Sequence, residues 1–133
     1  MRILQSEVKL YGAEHTQRII DGMIAELDLH EHAFDIRLIL AEAITNAHMH
    51  GNGGDSAKPI LVRYVLDAGW LELQVEDCGP GITGLPIPNE ISDDALLNDR
   101  GRGLFLIRCF ADRVEMRGNI MCISKNISIS HTA

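Results

Sequence analysis

The sequence predicts an α+β domain: a two-layer α/β sandwich with one mixed, mostly antiparallel sheet and its helices on one face. Three observations predict it. Two helical apolar patterns open the chain, two hairpin patterns follow, and a glycine-opened helix stands between the hairpins. The length of 133 residues suits a single domain over 1–133. A hydrophobic share of 46% with 23% charge supplies one core and excludes disorder as the main description.

Taken in order, Ile3 to Leu10 reads as a short edge strand. Ile19, Ile20, Met23, Ile24 and Leu27 recur at helical spacing, so a first helix runs to about Leu27. Asp28-Leu29-His30-Glu31 resembles a capping box and predicts the start of a longer second helix that stops near Gly51. Ile60 to Leu66 and Trp70 to Glu76 read as strands, joined by a turn at Asp67-Ala68-Gly69. Residues 82 to about 100 carry two prolines and no clear period; they read as a loop with one helical turn at Asp93 to Leu97. Gly103 to Phe110 reads as a helix opened by Gly101-Arg102-Gly103. Arg113 to Met116 and Asn119 to Ser124 read as a last hairpin with its turn at Gly118.

The formal charge of −7 argues against direct nucleic-acid binding, which needs a basic face. Cysteines at 78, 109 and 122 are odd in number and lack CxxC spacing, which predicts reduced thiols. The first residues hold no apolar stretch of signal-peptide length, and no run approaches a membrane span. A cytoplasmic protein with no membrane partner is the expectation.

On a wheel of the 34–50 helix centred on Glu42, Ile36, Leu40, Ala43, Ile44 and Ala47 fall in a sector of roughly 100° to 200°. Glu42, Asn46 and His50 form a second, polar stripe at roughly 0° to 80°, bordering the apolar one. Alone, the commoner meaning of such a stripe is a solvated face. The glycine motifs change that reading. In Asp77-Cys78-Gly79-Pro80-Gly81, an Asp at a strand end can accept from an exocyclic amine while bare backbone lets a flat base approach. Gly101-Arg102-Gly103-Leu104 offers backbone N–H groups and a positive dipole end to phosphates. The three lysines, Lys9, Lys58 and Lys125, all lie outside the glycine motifs, which excludes a P-loop; no GxGxxG follows the first strand, which excludes a Rossmann site. Five of the nine arginines lie between 100 and 118 against two acids, a positive island that favours an anion site.

Together, Glu42-Ala43-Ile44-Thr45-Asn46-Ala47-His48-Met49-His50-Gly51-Asn52, Asp77-Cys78-Gly79-Pro80-Gly81 and Gly101-Arg102-Gly103-Leu104-Phe105-Leu106-Ile107 resemble the N-box and the two glycine boxes of the GHKL (histidine-kinase-like, Bergerat-type) ATPase superfamily. Within it, the form E-A-x-T-N-A-x-x-H-G is most similar to stand-alone anti-sigma factor serine-protein kinases. The resemblance implies ATP and Mg²⁺ as cofactors. It implies Asn46 as the Mg²⁺ ligand and Glu42 as the base acting on the attacking hydroxyl. Asp77 would bind the adenine amino group, with Gly79 and Gly81 giving the base room. Gly101, Gly103 and Leu104 would hold the lid and meet the phosphates, with Arg100 or Arg102 as a further contact. His50 matches the family's helix end without an assigned role.

The implied function is an ATP-dependent serine-protein kinase that regulates in the anti-sigma manner, binding and phosphorylating an antagonist protein. A sigma factor or similar client would be the other partner, and a homodimer is usual among such proteins. No phospho-accepting histidine helix or transducer domain is visible, which favours a stand-alone regulator. The rival reading is an ATP-gated binding switch without kinase activity. A metal site at His30-x-His32 or His48-x-His50 is disfavoured, because helical residues two apart point roughly 200° from each other.

Overall fold

A computed structural model describes residues 4–80 and 99–128. Along the chain come β1 (Leu4–Tyr11), α1 (Thr16–Leu27), α2 (Ala33–Asn46), β2 (Pro59–Asp67), β3 (Trp70–Glu76), α3 (Asp99–Phe110), β4 (Arg113–Arg117) and β5 (Ile120–Asn126). The five strands form one sheet in the order β1-β2-β3-β5-β4. Every pairing is antiparallel, so the expected mixture reduces to its antiparallel part among the described strands. The predicted loop helix at 93–97 and Gly81 lie outside the described residues.

The strands alternate as a half-covered sheet should. Ile60, Val62 and Tyr64 of β2, Leu71, Leu73 and Val75 of β3, and Met121 and Ile123 of β5 are buried in one core with the helices. The two-residue turn between β2 and β3 uses Ala68 at φ 55° and Gly69 at φ 81°, the paired left-handed geometry that matches strand twist. Tyr64 fixes α1 to the sheet by donating its hydroxyl to Glu26 at 2.9 Å, and burial pushes its phenol pKa up.

Two boundaries differ from the sequence reading. Asp28 does not cap α2. It closes α1 in the left-handed conformation (φ 54°, ψ 52°), which Asp tolerates, while the Leu29 N–H reaches the Ile24 carbonyl. A short 3₁₀ turn, His30–His32, then leads into α2. Its His32 ring is buried, with Nε2 3.0 Å from the Ile127 carbonyl, so Nε2 carries the proton. The second difference is α3. It begins at Asp99, so Gly101-Arg102-Gly103 lies inside its first turns and does not precede it.

The apolar stripe of α2 is buried as predicted: Ile36, Leu40, Ala43, Ile44 and Ala47 are all 3% exposed or less. Ile39 is buried as well, although it lies on the polar side of the wheel. The reason is α3, which packs directly on α2 and contributes Leu104 and Ile107 to the same core. The polar stripe of α2 therefore runs alongside a helix–helix contact.

Lys125 of β5 points inward and is 3% exposed. Its Nζ donates to the Phe110 carbonyl at the end of α3 (2.8 Å) and pairs with Asp35 Oδ2 at the start of α2 (3.0 Å). One cation thus joins three elements and satisfies a helix C-terminal carbonyl. Lys125→Ala is expected to lower the unfolding free energy by about 3 kcal/mol, because it removes the partner of a half-buried carboxylate and of a helix-end carbonyl. Truncating the exposed Arg37 of the Arg37–Asp21 pair should cost about 0.5 kcal/mol. Urea titration of both variants checks the difference; equal losses would contradict it.

Candidate functional site

The glycine-rich end of α2 does not stop as an ordinary helix. Its last residues, Ala47–Gly51, widen into a π-turn, closed by the Asn52 N–H on the Ala47 carbonyl at 2.8 Å. This turn delivers two features to one side of the molecule: a cleft between α2 and α3, and a junction with the end of β3.

The cleft has a volume of about 390 Å³ and is lined by Glu42, Thr45, Asn46, Met49, His50, Arg102 and Gly103. The polar stripe predicted from the sequence, Glu42/Asn46/His50, is therefore a cleft wall. Asn46 Oδ1 is buried and has no hydrogen-bond partner among the described residues. A buried amide oxygen without a donor is costly unless something supplies one. An amide oxygen is a ligand type that a hard cation accepts, so Asn46 fits such an ion. Glu42 reaches across to α3: a Cβ on Gly103 would lie 2.8 Å from Glu42 Oε2. Glycine at 103 thus lets the end of the Glu42 side chain lie close against α3. Arg102 lines the same cleft from α3.

The positive island does not stay together. Arg113 and Arg117 lie on β4, with Arg117 paired to Glu115 at 2.5 Å, and Arg108 lies in the last turn of α3. Among the described side chains only Arg102 of this set lines the cleft. The sequence clustered these residues because helix and hairpin are consecutive, whereas the fold divides them between α3 and β4. Leu104 is 8% exposed and belongs to the core, so its side chain packs and does not line the cleft. Arg100 and Gly101 lie in α3, and their surroundings fall outside the described side chains.

Asp77 stands beyond the cleft, directly after β3. Its Oδ1 accepts the Gly79 N–H at 2.7 Å, and its backbone exchanges two bonds with Asn119: Asp77 N to Asn119 O at 3.1 Å, and Asn119 Nδ2 to Asp77 O at 2.5 Å. Its carboxylate lies over Gly51, where any Cβ would overlap Oδ2 and Cγ. Gly79 in turn lies against the Gly51 carbonyl, which a Cβ at 79 would strike. Gly51 and Gly79 are thus required by close approach of the π-turn to the first glycine box.

Sequence reasoning missed Asn52. It is 1% exposed and its side chain is fully used. Nδ2 donates to the carbonyls of Lys58 (3.1 Å) and Pro59 (3.3 Å), and Oδ1 accepts the Cys78 N–H at 2.7 Å. An Asn among glycines reads as a turn residue, and no spacing marks it as buried. Cys78 itself is exposed, its side chain a neighbour of the Pro59 carbonyl.

A family model described as a histidine kinase-like ATPase domain matches residues 12–125. The chain is 28% identical over 103 residues to an anti-sigma F factor of Bacillus thuringiensis (strain Al Hakam), covering 75% of this chain and 70% of that protein. The match to an anti-sigma F factor of Bacillus mycoides (strain KBAB4) has the same identity and coverage. No helix among the described residues is long and apolar enough to cross a membrane. An ATPase domain implies an ATP site. The chain belongs to the histidine kinase-like ATPase domain family.

Proposed function

We propose that this protein is an ATP-dependent serine-protein kinase of the anti-sigma type, which binds an antagonist protein and phosphorylates it. The observation that carries the reading is the Glu42–Asn46 pair: one turn apart on α2, in one cleft, with the Asn46 oxygen buried and unpartnered. The relatives named as anti-sigma F factors support the regulatory role, with a sigma factor as the client.

In this reading Asp77 accepts from the adenine amino group, and Gly79, lying against the Gly51 carbonyl, lets the turn that carries Asp77 sit close to the end of the π-turn. Asn46 Oδ1 holds Mg²⁺, and Arg102 supplies positive charge toward the phosphates. Mg²⁺, when bound, neutralises charge on the phosphate oxygens. Glu42, held against Gly103, accepts the proton of the attacking serine hydroxyl at its carboxylate. Packing of α3 on α2 fixes the helix that carries the carboxylate, so little reorganisation is left for the reaction itself.

Asn46→Ala is expected to weaken Mg-ADP binding by about tenfold, equivalent to ~1.4 kcal/mol, and to reduce its dependence on Mg²⁺. Calorimetry with and without Mg²⁺ measures both, and unchanged values would reject the ligand assignment.

Glu42→Ala should act on a different quantity. Phosphoryl transfer to the partner should fall by about 10²–10⁴-fold, the usual contribution of a general base. Nucleotide affinity should stay within about threefold, because the lost interaction belongs to the transition state. The assay follows labelled γ-phosphate into the partner co-purified from native extract. A wild-type protein that binds ATP and partner and never labels the partner would replace the kinase by an ATP-gated binding switch.

A further inference from the structure

The geometry points to Asn52, with Gly51 beside it, as the positioning residue that sets base selectivity: it holds the Asp77 turn where the carboxylate meets a 6-aminopurine nucleotide and disfavours a 6-oxopurine. The inference rests on the reading of Asp77 as the adenine acceptor and deepens it.

Asp77 follows directly on the end of β3, and its direction is decided by what holds residues 77–79. Among the described residues, these contacts hold them. Asn119 holds the Asp77 backbone from the β4–β5 turn. The Gly79 N–H holds Oδ1. Asn52 Oδ1 takes the Cys78 N–H at 2.7 Å, the peptide directly after Asp77. The third contact comes from the residue that ends the π-turn of the helical layer. Asn52 ends the π-turn through its own N–H and anchors its Nδ2 on the carbonyls of Lys58 and Pro59 at the start of β2. The Cys78 peptide is thereby fixed relative to α2, the helix that carries Asn46 and Glu42.

Gly51 supplies the matching constraint. The Asp77 carboxylate occupies the space a side chain at 51 would fill, so its lateral position is set by the path of the π-turn. A misplaced acceptor loses the amino-group bond in an adenine nucleotide. It loses much less with an inosine nucleotide, which offers a carbonyl at that position and meets the carboxylate unfavourably in any case.

The test is calorimetric binding of Mg-ADP and Mg-IDP to the wild type, Asn52→Ala and Gly51→Ala, with thermal unfolding of each. Gly51→Ala removes none of the Asn52 side-chain groups and puts its Cβ against the Asp77 side chain. In the wild type ADP should bind about tenfold tighter than IDP. In both variants ADP affinity should fall by about tenfold and IDP affinity by no more than about twofold, so that selectivity collapses. Equal losses for the two nucleotides would show a merely structural role and overturn the assignment. If Asn52→Ala does not fold, a Gly51→Ala protein that keeps the wild-type ADP/IDP ratio overturns it as well. A wild type that does not distinguish ADP from IDP would instead overturn the reading of Asp77 itself, and the clamp with it.

Discussion

The buried amide of Asn52 is the point on which the described site hangs. One residue ties three backbone segments: its N–H closes the π-turn ending α2, and its side chain holds the start of β2 and the turn after β3. Such a residue has little freedom to change, because each of its polar atoms is paired away from water and each lost bond strands a buried group. Its neighbours follow from the same geometry. Gly51 and Gly79 are glycines because the clamp brings two backbones closer than a Cβ permits. The π-turn exists because the chain must leave α2 in the direction that lets Asn52 reach both strands.

A second tie, at the far end of the sheet, is ionic. Lys125 binds the end of α3 and the start of α2 at once. α3 is thereby registered on α2, and Gly103 comes to face Glu42. The two ends of the helical layer are fixed by different chemistry: a neutral amide beside the site, and a buried ion pair remote from it.

Much of this was legible in the sequence, for identifiable reasons. Strand alternation and the Ala68-Gly69 turn gave the first hairpin within a residue. The α2 wheel separated core residues from Glu42, Asn46 and His50 because a helix facing a sheet on one side and a cleft on the other needs two stripes. What failed depended on contacts distant in sequence. Ile39 is buried by α3, which no local pattern announces. Asp28 scored as a cap by its neighbours, yet closing α1 required a left-handed residue there first. The arginines cluster in sequence and disperse in space, because a helix and a hairpin point them apart. Asn52 has the composition of a turn and the environment of a core.

The central claim is that one nucleotide bridges the α2–α3 cleft and the Asp77 turn. Backbone and side-chain amide NMR of the labelled protein, titrated with ADP and Mn²⁺ in place of Mg²⁺, tests it most directly. The account predicts paramagnetic broadening centred on the Asn46 side-chain amide and the Gly103 N–H, with ADP-dependent shifts at Cys78 and Gly79. Broadening centred instead on the groove of Trp70, Glu72 and Arg113, or on the cavity beside Lys125 and Asp112, would contradict it.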